Sequence, residues 1–286
     1  MIVGLAQTYI EWENKNANLD KIKLCLEKFV TVCKEKNVLS TDNIIFFPEM
    51  SLTGFSMNTD ATAESDKETV HEIEHLSKEY GISVGIGWVK RKKNRCENHY
   101  SIITPQMGEI LDYAKMHPFS YGGEDEFFLG GDSLDICCFD KFKIGTAICY
   151  DLRFPEIFQI LSENADFIVI PANWPKARRE HWITLLRARA IENQCFIAGI
   201  NCCGNINNIE YSGDSCMFGP DGAMLSTMDI IELYKSGNDE SKSGADFNII
   251  NEQILIYDIN NSVDIVRESF PVKRDRRKDL YRKLYE

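Results

Sequence analysis

The chain has no CxxC pair, no run of about 18 apolar residues and no surplus of positive charge. The first absence removes the usual zinc-ligand spacing. Ten cysteines are present among 286 residues, some as adjacent pairs (Cys137–Cys138, Cys202–Cys203). That density is well below a disulfide-held scaffold. Reduced cysteines in a cytoplasmic protein are therefore expected. The second absence leaves no candidate membrane-spanning helix. The opening stretch Met1–Gln7 has a short apolar run without a basic flank, so no signal peptide is expected. The sequon Asn260-Asn261-Ser262 would then go unused. The third absence bears on partners. Lys and Arg number 32 against 44 Asp and Glu, a net charge of −12. That field repels phosphate backbones, so no nucleic-acid partner is expected. One basic stretch, Lys273–Lys283, carries seven Lys/Arg against two Asp. It reads as a solvated face of a C-terminal helix.

What is there is ordinary globular material. Apolar residues make up 44% and charged residues 27%, which excludes collagen-like, coiled-coil and wholly disordered chains. Length alone suggests about two domains. Yet short apolar runs alternate with amphipathic stretches, without a linker or repeat, as far as a polar segment at 235–246. We therefore expect one domain over 1–260, with that segment as a surface loop, then a basic tail or helix over 261–286. Strands are expected at Ile2–Gln7, Asn43–Phe47, Ile82–Val89, Phe142–Ile148, Phe167–Ile170, Cys195–Ile200 and Gln253–Ile259. Helices are expected at Leu19–Lys36, Glu68–Tyr80, Glu156–Asn164 and His181–Asn193. Hairpins are expected at His99–Ile103 with Ile110–Ala114, and at Ser215–Phe218 with Ala223–Ser226. The pattern is α/β with mixed sheets.

A metal motif proves to be a decoy. His71-Glu72-Ile73-Glu74-His75 matches H-E-x-x-H, the helical zinc-protease pattern. On a helix, however, Val70, Ile73, Leu76 and Tyr80 form the apolar face. Both histidines then fall on the watery side, away from the shielded cavity a catalytic zinc needs. No metal is expected.

A second constellation carries more chemistry. Glu49, Lys115 and Cys149 each follow an expected strand. Ligands of open α/β sheets bind at the carboxyl ends of strands. A carboxylate there can take a thiol proton, and an ammonium can favour the thiolate or hold an oxyanion. The amide N–H of Tyr150 is placed to add a second oxyanion donor. Spacing alone leaves other readings open. Cys149 could be a packing cysteine, Lys115 a surface lysine, Glu49 a turn carboxylate, and His117 could pair with Cys149 as a dyad.

The residues around these three resemble the carbon–nitrogen hydrolase (nitrilase) superfamily. The matching pieces are Phe47-Pro48-Glu49-Met50, Lys115-Met116-His117-Pro118-Phe119 and Cys149-Tyr150-Asp151-Leu152-Arg153-Phe154-Pro155-Glu156. To these are added Pro171-Ala172-Asn173-Trp174-Pro175, Arg187-Ala188-Arg189-Ala190-Ile191-Glu192-Asn193, Gly213-Asp214-Ser215 and Gly219-Pro220-Asp221-Gly222. They run in order from Ile2 to about Ile259. The resemblance implies a four-layer α-β-β-α sandwich and a Glu–Lys–Cys triad. Glu49 is then general base and acid, Lys115 stabilises the tetrahedral intermediate, and Cys149 is the nucleophile. It also implies a second glutamate, for which Glu124 is the candidate and Glu126 the alternative. No cofactor is implied.

Cys149-Tyr150-Asp151 looks like the amidase side of the superfamily. Together with Ala172–Pro175, His181-Trp182 and Ala188–Gln194 it is similar to bacterial omega-amidases, which release ammonia from 2-oxo acid amides. The sequence departs from them over Lys115–Phe128. The resemblance implies a small-molecule amide substrate bearing a carboxylate, which bidentate arginine suits. Arg178 and Arg179 are the candidates, with Arg153 possible, and Asn173 and Trp174 are expected in the pocket wall. Family habit also implies a homodimer through Phe154–Leu161 and His181–Asn193, with the basic tail lying on the acidic partner subunit.

Overall fold

The computed structural model describes residues 1–233 and 251–285. The polar stretch 235–246 lies outside the described residues. Among the described residues the strands and helices follow one another as β1 (Ile2–Gln7), α1 (Lys15–Glu35), β2 (Ile44–Phe46), α2 (Thr59–Thr62), α3 (Glu68–Tyr80), β3 (Ser83–Lys92), β4 (Arg95–Thr104), β5 (Gly108–Ala114), α4 (Glu124–Phe127), β6 (Ile136–Phe139), β7 (Phe142–Thr146), α5 (Pro155–Leu161), β8 (Phe167–Ala172), α6 (Arg179–Asn193), β9 (Phe196–Asn201), β10 (Cys203–Ile206), β11 (Ile209–Ser212), β12 (Cys216–Phe218), β13 (Asp229–Glu232), β14 (Gln253–Asp258), α7 (Val263–Ser269) and α8 (Lys278–Tyr285). A seven-stranded sheet has the order β13-β14-β1-β2-β3-β4-β5, and a five-stranded sheet the order β12-β9-β8-β7-β6. Both are mixed, with parallel centres (β1–β2–β3 and β7–β8–β9) and antiparallel edges.

Apolar periodicity explains the layering. In the central strands β1, β2, β8 and β9 the side chains alternate between two buried faces. Val3, Leu5, Ile44 and Phe46 of the first sheet meet Phe167, Val169, Phe196 and Ala198 of the second in one core. The Phe46 and Phe167 rings cross that interface edge to face, centroids 6.0 Å apart. The outer faces are covered by helices. Ile22, Cys25, Leu26 and Phe29 of α1, with Val70, Ile73 and Leu76 of α3, pack on Ile45, Val84 and Ile86. Ile157, Phe158 and Leu161 of α5, with Trp182, Leu186 and Ala190 of α6, pack on Ile168, Ile170 and Ile197. The result is the four-layer α-β-β-α sandwich. On α3 both His71 and His75 are exposed, opposite its buried face.

Several expectations shift. The arm at Ala223–Ser226 is not a strand. Cys216–Phe218 pairs instead with β9, leaving a single bridge from Phe218 to Met224. A hairpin not foreseen, β10–β11, turns at Asn207 and Asn208, whose φ values are 47° and 64°. Packing continues past residue 260. Val263 is buried in the inter-sheet core, and Arg267 donates to the carbonyls of Ala165 (3.1 Å) and Gln194 (3.2 Å). The basic tail folds back on its own chain: Lys278 pairs with Glu163, Lys273 with the Ser162 carbonyl, and Arg276 with the Glu192 carbonyl.

Candidate active site

Four strands deliver their next residues to one crevice. Glu49 follows β2, Lys115 follows β5, Cys149 follows β7 and Asn173 follows β8. The backbone there is tightly held. Met50 and Cys149 both sit at φ 46°, an uncommon conformation for side-chain-bearing residues. A Cβ on Gly87 of β3 would lie 2.4 Å from the Met50 nitrogen and 2.9 Å from the Glu49 carbonyl carbon, so only glycine lets that strand support the Glu49 turn.

Glu49, Lys115 and Glu124 form a buried cluster, each at most 1% exposed. Lys115 Nζ lies 2.9 Å from Glu49 Oε1 and 2.8 Å from Glu124 Oε2. Burial disfavours the lysine's charge, but the two carboxylates more than offset it and hold the ammonium well above its ordinary pKa. Burial likewise pushes Glu49 up, yet the Lys115 charge and donors from Lys115, Asn173 and Asn98 hold it below the usual carboxylate range. Glu124 shows the opposite balance: burial and the nearby Glu49 charge, against Lys115, leave it raised. Of the two candidate second glutamates the structure brings in Glu124 and leaves Glu126 exposed. Glu124 Oε2 also accepts the Phe119 N–H at 2.6 Å, which ties down the segment between them.

Cys149 opens a 3-10 turn, Cys149–Arg153, and is half-buried against a cavity. Its thiol faces the Asn173 carbonyl at 3.9 Å. Burial first, then the Glu49 charge, push the thiol well above its ordinary pKa, with Lys115 opposing. The resting group is thus a thiol beside a carboxylate. Asp151 anchors this turn, accepting from Tyr113 Oη (2.8 Å), the Ile148 N–H (2.9 Å) and the His117 N–H (2.9 Å). His117 Nδ1 is 2.8 Å from the same carboxylate, and its ring stacks on Phe154. The possible Cys–His dyad therefore gives way to a His–Asp contact. Tyr150 follows the nucleophile candidate, and its ring lines the cavity.

The cavity measures about 400 Å³. Phe55, Met57, Phe119, Tyr121, Trp174, Ile209 and Tyr211 make its apolar wall, and Lys115, Cys149, Asn173, Arg153 and Arg178 its polar one. Among the described residues no aspartate or glutamate lines it. The Arg178 guanidinium lies over the rings of Phe119 (5.6 Å) and Tyr121 (5.5 Å), and Arg153 over Trp174 (4.7 Å). Neither has a carboxylate partner among the described residues. Burial, then the charge of Arg178, lowers the Arg153 pKa. Arg179 is a correction. It does not line the cavity; it forms a two-pronged ion pair with Asp214 (2.9 Å on each arm), because α6 begins between the two neighbouring arginines and sends them different ways.

Asparagines complete the grip on Glu49. Asn173 donates its N–H to Oε2 at 2.9 Å and its amide to the Glu49 carbonyl at 2.7 Å, while the Cys202 thiol reaches its Oδ1 at 3.2 Å. Asn173 thus does more than line a wall. Asn98, on β4, donates to Glu49 Oε1 at 2.8 Å and Glu124 Oε1 at 3.1 Å. The sequence reading missed it.

The carbon-nitrogen hydrolase family matches this sequence over residues 2–230. The chain belongs to that family. It is a hydrolase of carbon–nitrogen bonds of the amidase kind. A 2-oxoglutaramate amidase of Bacillus subtilis (strain 168) is 31% identical over 283 residues, 98% of each chain. An omega-amidase, YafV, of Yersinia enterocolitica is 33% identical over 74% of this chain and 78% of its own. Among solved structures, a CN-hydrolase superfamily protein of Xanthomonas campestris with an arsenic adduct in its active site superposes with a TM-score of 0.79 at 26% identity, covering 96% of this chain and 97% of the other.

Proposed function

We propose that this carbon–nitrogen hydrolase cleaves the terminal carboxamide of a small 2-oxo acid amide, releasing the acid and ammonia through a thioester on Cys149. Glu49 takes the thiol proton as sulfur attacks the amide carbon. Lys115 and the Tyr150 N–H hold the oxyanion. Glu49 returns the proton to departing ammonia, then activates the water that opens the thioester. Glu124 holds Lys115 in place. None of these steps calls for a metal or an organic cofactor. The observation that carries the substrate reading is the pair Arg153 and Arg178, turned to the cavity without a carboxylate partner among the described residues. Guanidinium groups so placed suit a substrate carboxylate. A cationic carbamoyl amine would meet two like charges and no wall carboxylate.

Ammonia release from 2-oxoglutaramate, N-carbamoylputrescine and a simple nitrile tests this. The 2-oxo amide is expected to be preferred. Arg178→Ala is expected to raise KM about tenfold or more for it, by loss of a charge-assisted bond, and to change little for a neutral amide. Equal loss on both substrates would remove the carboxylate from the reading.

The same reading makes the protein a homodimer through α5 and α6, whose Ile160 and Ile191 stand 60% and 51% exposed. A monomeric mass in solution would contradict it. It also places the protein in the cytoplasm, where its ten unpaired cysteines would stay reduced; cell fractionation checks this. No helix of the described residues is long and apolar enough to cross a membrane.

A further inference from the structure

We propose that Asn98 is a positioning residue that makes Glu49 a one-sided base, filling Oε1 so that the proton travels through Oε2. The inference rests on the amidase reading of the site and adds the route of its proton. A carboxylate oxygen offers two lone-pair directions. On Oε1 both are taken, by Lys115 Nζ at 2.9 Å and Asn98 Nδ2 at 2.8 Å. On Oε2 the Asn173 N–H takes one at 2.9 Å. The other meets only Asn173 Nδ2 at 3.4 Å, the longest of the four contacts. The thiol contacts the same residue that holds Oε2, since Cys149 Sγ faces the Asn173 carbonyl at 3.9 Å.

The orientation of Asn98 supports this. The residue is 1% exposed, and its Oδ1 is buried without a partner among the described residues. An empty buried acceptor is costly. It persists because turning the amide over would set that oxygen against two carboxylate oxygens, Glu49 Oε1 and Glu124 Oε1. The side chain is therefore arranged for the carboxylates and not for its own satisfaction. Its backbone carbonyl adds a bond to the Lys115 N–H at 2.8 Å. Asn98 does not line the cavity and so does not meet substrate.

The step balances as follows. The Cys149 proton passes to Glu49 Oε2 as the sulfur–carbon bond forms and the carbonyl electron pair moves onto oxygen. When the intermediate collapses, the carbon–nitrogen bond breaks and Oε2 returns the proton to nitrogen. The other ionisable groups around Glu49 are Lys115 and Glu124, Cys149 in its turn, Cys202 after β9, and Tyr211 on β11.

Asn98→Ala removes one donor from an ionised carboxylate. Glu49 works ionised and fails as pH falls through its pKa. Losing a donor raises that pKa, so the acid limb of kcat/KM moves upward, by about one pH unit. Reduced orientation lowers kcat about tenfold, while KM stays within about twofold. Asn98→Asp, which sets a third carboxylate in the cluster, moves the limb further; if it does not fold, Asn98→Ala carries the test. Ser101→Ala is the control. It lies on the same strand and removes a bond from Trp88 at 2.9 Å and one to Glu109 Oε1 at 2.7 Å, neither of them to Glu49, Lys115 or Glu124, so it lowers the melting temperature without moving the limb. The assay uses the best amide of the substrate panel. An acid limb unmoved in Asn98→Ala, with only the melting temperature lowered as in the control, overturns the proposal. Failure on 2-oxo amides with turnover of a neutral amide overturns the substrate reading alone.

Discussion

Cys149→Ala is expected to abolish ammonia release, with a loss of at least about a thousandfold, while the protein unfolds at nearly the wild-type temperature. Removing a nucleophile forfeits the covalent route, not a fraction of it. The fold has little stake in the sulfur. Among the described residues its one hydrogen-bond contact is the 3.9 Å approach to the Asn173 carbonyl, and the side chain is half-buried at a cavity wall. Alanine carries the same backbone penalty at φ 46° as cysteine. Intact-mass analysis during turnover of a slow amide adds a second readout. An acyl adduct is expected on the wild type and not on the variant. Cys138 is the rival to exclude, because it is exposed whereas the other eight cysteines are buried. Ammonia release by Cys149→Ala at wild-type rate would remove the thioester from the mechanism.

The site was legible where reactive residues directly follow buried strands. Glu49, Lys115, Cys149 and Asn173 each stand within three residues of a strand whose apolar run is visible in the sequence. A strand end fixes the position of the next residues, whatever the far-off partner is. Side-chain direction is another matter. Arg178 and Arg179 are adjacent, and only the placement of the α6 start sends one to the cavity and the other to Asp214. Asn98 was illegible for a related reason. It lies just before the strand expected at His99–Ile103, among the polar residues of Arg95-Cys96-Glu97-Asn98, and its burial appears only once β4 begins at Arg95 and is paired with β3 and β5. The β10–β11 hairpin was missed because Asn207-Asn208 was not read as a turn, although asparagine tolerates the positive φ that such turns require.

Lys115→Met tests the cluster as a structural unit as well as a catalytic one. The lysine is 1% exposed and its charge stands between two carboxylates that are themselves buried. Breaking a buried pair by removing one partner typically costs about 3–5 kcal/mol, because a charge is left without compensation. For a chain of this size that lowers the melting temperature by roughly 10 °C. Activity is expected to fall at least about a thousandfold, since the oxyanion loses its ammonium and Glu49 its main counter-charge. The pH dependence gives the cause away. Without Lys115, Glu49 and Glu124 face each other through Asn98 alone, and one of them must bind a proton in the folded state. A carboxyl whose folded pKa is raised contributes stability that is present at low pH and lost as pH rises through that pKa. The melting temperature of Lys115→Met is therefore expected to climb as the pH is lowered from about 8 to about 5, and that of the wild type to climb less or not at all. Thermal unfolding across that range checks this, and a deficit independent of pH would mean that packing, not charge, is what Lys115 supplies.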